Sequence, residues 1–136
     1  MPDAGSSALM QPRWRTLCSA GALLVALATV IGAMGTHLLK SRLAVDRYEV
    51  LQTAVQYQFF HALGLILIGI LAERVAAPRL RTAGALLLIG VVLFSGSLYL
   101  LVAGAPSLVG VVTPVGGIFM IVAWLIAAGA LWRTRS

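Results

Sequence analysis

The sequence predicts an all-α integral membrane protein, a bundle of four transmembrane helices with an amphipathic extension leading into the second. Three observations predict it. The first is composition: of 136 residues, 60% are hydrophobic and 10% charged, with a mean hydropathy of +0.99. A water-soluble chain is roughly half apolar and about a quarter charged, so the solvent for most of this chain must be lipid. The second is that uncharged apolar stretches recur four times, judged against the roughly 20 helical residues that cross a bilayer core of about 30 Å. The third is that all ten Lys and Arg residues lie between or beyond those stretches, where they mark membrane ends. That placement removes the nucleic-acid reading that a net charge of +6 and a pI near 10.8 would otherwise suggest.

Residues 1–15 read as a flexible cytoplasmic tail, because MPDAGSSALMQP is small, polar and bounded by Pro12. A membrane domain over 16–132 follows, and 133–136 form a second short tail. The first span covers about 16–39, with His37 at its far end. The second apolar stretch, 57–72, is short for a crossing until 44–56 is read as its continuation. There Ala44, Tyr48, Leu51, Val55 and Phe59 recur at steps of three and four, while Asp46, Glu49, Thr53 and Gln56 fall opposite, which is an amphipathic helix. Asp46 and Glu49 resemble a capping box at its start. After a basic turn with Pro78, the third span runs over about 82–103. The fourth covers 114–132, with Thr113 as N-cap and Pro114 at the first helical position.

Charge placement orients the bundle. Arg13, Arg15, Arg74, Arg79, Arg81, Arg133 and Arg135 flank one side, and Lys40, Arg42 and Arg47 the other, so both termini are expected in the cytoplasm. A cleavable secretory signal is the competing reading of the first span, with Ala26-Leu27-Ala28 as its cleavage site. The apolar run continues well past Ala28, which favours a retained helix.

Helices in lipid are not drawn together by the hydrophobic effect, so they associate where small residues let backbones approach. Gly21, Ala28 and Gly35 repeat at seven in the first span, with Gly32 beside them. Ala83, Gly90, Ser97 and Gly104 repeat in the third, and Gly116, Ala123, Ala127 and Ala130 mark the fourth. The candidate packing glycines are Gly32, Gly35, Gly64, Gly90, Gly96, Gly116 and Gly117.

Polar residues at membrane depth are costly and are candidate functional positions, though they also serve as interhelical hydrogen-bonding glue. The candidates are His37, Gln56, Tyr57, Gln58, His61, Ser95, Ser97 and Tyr99. Tyr57, His61 and Gly64 share one helical face through their spacing of four and three. Histidine changes charge near neutral pH and can pass a proton, but the chain's acids are Asp3, Asp46, Glu49 and Glu73, all at or outside the span boundaries. A proton relay therefore lacks its carboxylate, and His61 reads better as a hydrogen-bond partner. A metal site would need Asp46 or Glu49 beside the two histidines, and no metal or cofactor is expected. Cys18 is the one cysteine and reads as a small apolar filler. No phosphate-cradling loop, Ser/His/acid arrangement or paired intramembrane carboxylate is present, so the chain is not expected to be an enzyme.

Four segments carry a family resemblance. GAMGTHLLK (32–40), TAVQYQFFHALGL (53–65), FSGSLYLL (94–101) and TPVGG (113–117), followed by Trp124, resemble in order the domain-of-unknown-function 423 family. This is a family of small bacterial inner-membrane proteins related to the eukaryotic transmembrane protein 256. The resemblance covers about residues 16–132. It implies a four-helix protein of the bacterial cytoplasmic membrane without an established activity, cofactor or substrate, and it supports retention of the first span. The family's pattern has Gly after the motif histidine; here Leu38 stands there, so the helix end around His37 is expected to differ.

Two functional readings follow. One is a non-catalytic accessory, assembly or interaction protein, whose partners are the bilayer and either a second copy or another membrane protein, with no nucleic acid. The alternative is a small oligomeric transporter or channel for a small solute or ion, lined by the Gln/Tyr/His cluster of the second helix. A lipid-modifying enzyme that uses a surface helix beside two histidines is a third and weaker option.

Overall fold

A backbone immersed in lipid must satisfy its own hydrogen bonds, and an uninterrupted apolar run does so as a helix. In the computed structural model, which describes residues 13–75 and 77–134, four helices form in this way. α1 spans Arg13–Met34 and continues through a wider π-helical turn, Gly35–Leu39; α2 spans Val45–Arg74, α3 Pro78–Val102 and α4 Val112–Arg133, preceded by a 3₁₀ turn, Ser107–Val111. Each of the stretches Trp14–Leu39, Val45–Arg74, Pro78–Val102 and Ser107–Arg133 is long and apolar enough to cross a membrane. Of the expected tails, 1–15 and 133–136, residues 13–15 already belong to α1 and Arg133 to α4, while 1–12 and 135–136 lie outside the described residues.

The amphipathic stretch and the second span are one helix. α2 has 30 residues, so at 1.5 Å per residue it is about 45 Å long, some 15 Å more than a bilayer core. Its charged first turns, with Asp46, Arg47 and Glu49 all exposed, account for that excess. Asp46 does not cap the helix: Ala44 is the N-cap and has no side-chain cap bond, while Asp46 already sits in the first turn, where its charge complements the helix dipole. At the end of α1 the Lys40 amide donates to the Gly35 carbonyl over 2.9 Å, the five-residue step of a π turn. This wider turn holds His37 and Leu38, where the sequence departs from the family pattern.

Two further ends differ from expectation. Gly104, with φ of +98°, closes α3 by a Schellman motif: its own amide donates to the Leu101 carbonyl and the Ala105 amide to the Leu100 carbonyl, at 3.1 and 2.9 Å. It is thus a helix stop and not part of a packing stripe, and a Cβ there would meet nothing within 4 Å. Thr113 is not the N-cap of α4, because the 3₁₀ turn feeds helical backbone into it from Val111. Pro114 falls within the first turn, where its missing N–H costs no helical bond.

The helices pack in chain order, α1 on α2, α2 on α3 and α3 on α4, with a smaller contact of α1 on α3. Small residues set the closest approaches. A Cβ on Gly21 would lie 2.8 Å from the Ala62 carbonyl oxygen, and one on Gly69 would lie 2.6 Å from Cys18 Sγ, both across the α1–α2 seam. Gly32 and Gly35 face Val55 and Leu51 on the same seam. Between α3 and α4 a Cβ on Gly90 would lie 2.9 Å from the Gly116 carbonyl, and one on Gly116 would lie 2.5 Å from the Phe94 amide nitrogen. Leu17 fills the notch at Gly84 where α1 meets α3. Leu65, Ile68, Leu80, Leu87, Val91 and Met120 complete a continuous apolar core. Gly117 is in ordinary contact with Phe94, and a Cβ on Gly96 would meet nothing within 4 Å, so Gly96 lies off the seams.

The atoms opposing Gly90 include backbone, which cannot swing aside as a side chain can. Gly90→Leu is therefore expected to cost about 1–3 kcal/mol or more of stability, read as a lower thermal midpoint in detergent. Gly96→Ala should leave that midpoint unchanged. Equal midpoints for Gly90→Leu and the native protein would remove the close-seam account of α3 and α4.

Candidate functional site

In hydrocarbon a polar side chain has no water to bond, so its partners must come from neighbouring helices. Gln58 is the clearest case. It is 2% exposed, it sits midway along α2, and both ends of its amide are engaged. Nε2 donates to the Leu24 carbonyl of α1 over 2.8 Å, and Oε1 accepts from the Tyr99 hydroxyl of α3 over 2.7 Å. One side chain thus ties three helices together. A neutral primary amide suits this position because it offers donors and an acceptor without a charge to desolvate.

Two serines of α3 extend the network to either side. Ser95 Oγ, also buried, donates to the Ala54 carbonyl of α2 over 2.8 Å. Ser97 Oγ lies 2.7 Å from Thr113 Oγ1 of α4 and 2.9 Å from the Phe94 carbonyl. The contact to its own helix is the ordinary back-bond of a membrane serine, and the contact to Thr113 crosses between helices. Every buried side-chain nitrogen or oxygen among the described residues has a hydrogen-bond partner.

The Tyr57, His61 and Gly64 face of α2 meets aromatic rings of α3 and α4. Tyr57 stacks on Phe94 with centroids 4.6 Å apart and on His61 at 5.6 Å. Trp124 lies 6.3 Å from the His61 ring and covers Gly64, where a Cβ would stand 2.5 Å from the indole. His61 Nδ1 is 2.7 Å from the Tyr57 carbonyl. A carbonyl oxygen can only accept, so this contact puts a proton on Nδ1 and turns Nε2 to the partly exposed edge of the cluster.

The remaining candidates stand apart. Gln56 is exposed on α2, and His37 is exposed in the π turn. Gly35, two residues from His37, packs on Leu51, ten residues before His61, which separates the two histidines by about 15 Å along α2. They do not share a site. Among the described residues no group of three His, Cys, Asp or Glu side chains is placed to hold a metal ion. Reasoning from sequence missed Thr113 as the partner of Ser97, the Leu24 carbonyl as the partner of Gln58, and Phe94 and Trp124 as the walls around Tyr57 and His61. The one available signal was Gly64, a gap on α2 that called for a large side chain opposite.

Comparison with known proteins identifies the family. A family model described as "Protein of unknown function (DUF423)" matches residues 31–117, a stretch that holds the π turn, all of α2 and α3 and the Ser97–Thr113 contact. The chain is 43% identical over 82 residues to the UPF0382 membrane protein YwdK of Bacillus subtilis, covering 60% of this chain and 67% of that one. A UPF0382 membrane protein of Staphylococcus haemolyticus is 43% identical over 81 residues, covering 60% and 66%. The UPF0382 inner membrane protein YgdD of Escherichia coli is 34% identical over 71 residues, covering 52% and 54%. The chain thus spans about two thirds of the first two relatives and about half of the third. No solved structure matches.

The bond between Gln58 and Tyr99 can be isolated by a double-mutant cycle of Gln58→Leu and Tyr99→Phe. Interhelical hydrogen bonds in membranes average about 0.6 kcal/mol and reach about 1.7, so a coupling in that range is expected from unfolding in mixed micelles. Strict additivity of the two substitutions would show that the bond contributes nothing.

Proposed function

This chain belongs to the DUF423 family, and from that premise we propose that it acts as a non-catalytic accessory or assembly protein of the bacterial inner membrane. The observation that supports this reading most directly is the internal use of its polar groups. Gln58, Ser95, Ser97, Tyr99 and Thr113 bond one another or backbone carbonyls across the helix seams, in positions suited to fixing the bundle and unsuited to contacting a substrate. The outer faces of α1 and α4 are apolar: Leu23 on α1 and Ile121 on α4 are 72% and 62% exposed. α1 and α4 are the terminal members of the packed row, and their outer faces are the ones available to another membrane protein or a second copy.

The channel reading has less to draw on. Three of the side chains that would line a path, Gln58, Ser95 and Ser97, are buried and bonded within one protomer. His37, the other histidine, sits about 15 Å from His61 along α2.

Photo-crosslinking in native membranes tests the accessory role. A crosslinking residue at position 23 or 121 should give discrete protein adducts, and one at the buried position 65 should give none. Adducts to lipid alone from both outer faces would remove the interaction reading, and proteoliposome flux abolished by His61→Ala would replace it with transport.

The basic residues at the α2–α3 turn and the end of α4 support placing both termini in the cytoplasm. A reporter fluorescent only in the cytoplasm, fused after residue 136, should fluoresce. A reporter active only in the periplasm and active at the same position would reverse the orientation.

A further inference from the structure

We propose that the groove between the N-terminal end of α3 and the C-terminal end of α4 is a binding site for an anionic phospholipid. The groove encloses about 510 Å³. Arg79 of α3 and Arg133 of α4 line it together with Thr82, and the same two arginines line an adjoining recess of about 310 Å³ together with Thr134. The two recesses therefore share two arginines from different helices in their lining.

Charge complementarity identifies the occupant. Among the described residues no acidic side chain lines either recess, so the described walls set two like charges at a low-dielectric boundary without a counter-charge. The neighbouring recess at the α2–α3 turn is the contrast. It holds Arg74 and Arg81 but also Glu73 in the same wall, and so carries its own anion. A phosphate group between Arg79 and Arg133 would supply the missing charge, and guanidinium forks match its oxygens.

The rest of the groove fits the chain of a lipid and not a free ion. Below the arginines the wall is Val122, Leu125 and Ile126, so the distance from Arg133 to Val122 along α4 is about 16 Å. Gly129 lines the groove beside open space, since a Cβ there would meet nothing within 4 Å. A cationic mouth at the membrane surface that leads into an apolar channel toward the membrane interior has the form of a headgroup site with its acyl chain attached.

Native mass spectrometry of the full chain, released from detergent with added lipid, tests the site. Phosphatidylglycerol should be retained over phosphatidylcholine of identical acyl chains by roughly tenfold or more, as two arginines near a lipid headgroup predict. R79Q with R133Q should abolish that preference, R79K with R133K should keep most of it, and R81Q should leave it unchanged. G129L should weaken phosphatidylglycerol binding while the arginines remain. Equal retention of the two lipids by the native protein would overturn the proposal, as would a preference that survives R79Q with R133Q. Displacement of phosphatidylglycerol by millimolar inorganic phosphate, with binding indifferent to G129L, would show a free-anion site and overturn the lipid assignment.

Discussion

The amide of Gln58 is the interaction on which the bundle's arrangement depends. In water such a side chain could exchange one partner for another at little cost, but at membrane depth each unbonded donor or acceptor is penalised. With Nε2 on the Leu24 carbonyl and Oε1 under the Tyr99 hydroxyl, Gln58 sets the heights of α1 and α3 relative to α2. Sliding either helix by one residue would break a bond that lipid cannot replace. Burial of leucine alone carries no such preference, because lipid tails are as good a neighbour for it as another helix is; close packing at the glycines supplies the rest of the register.

Around that tie, glycine and alanine decide how near the helices come. α3 is the centre of the row. It presents Gly84 to α1, Ser95 to α2, and Gly90 and Ser97 to α4. Polar fastening occurs toward one membrane face, from Gln58 to Thr113, while the opposite ends are joined by the Gly21 and Gly69 contacts and the apolar core around Leu80. Toward the Arg-rich end the described interhelical polar contact is the weak one from Cys18 Sγ to the Ile66 carbonyl, at 3.6 Å, and there the groove between α3 and α4 opens.

Membership of the DUF423 family bears on which features are shared. The matched stretch, 31–117, contains Gln58, Ser95, Ser97, Tyr99 and Thr113 but stops short of Trp124 and of Arg133. It also starts after Leu24, whose contribution is a backbone carbonyl that any residue would supply. The polar fasteners lie inside the matched stretch, whereas the cationic groove takes only Arg79 and Thr82 from it and its whole α4 wall, from Val122 to Arg133, from beyond it.

Composition and the spacing of apolar runs were enough to determine four crossings, the continuity of the amphipathic stretch with the second helix, and the face that joins Tyr57, His61 and Gly64. These follow from local rules: bilayer thickness sets run length, and helical periodicity sets which residues lie side by side. Periodicity does not say what stands opposite. Only the tertiary structure decided that Gln58 reaches Leu24, 34 residues away, because a backbone carbonyl has no signature in sequence. The same holds for Thr113, which looked like a cap and instead bonds Ser97, and for Gly96, which resembles Gly90 in sequence yet faces no neighbour. Residue type and spacing determined which groups had to find partners in lipid; the way the helices cross determined which partners they found.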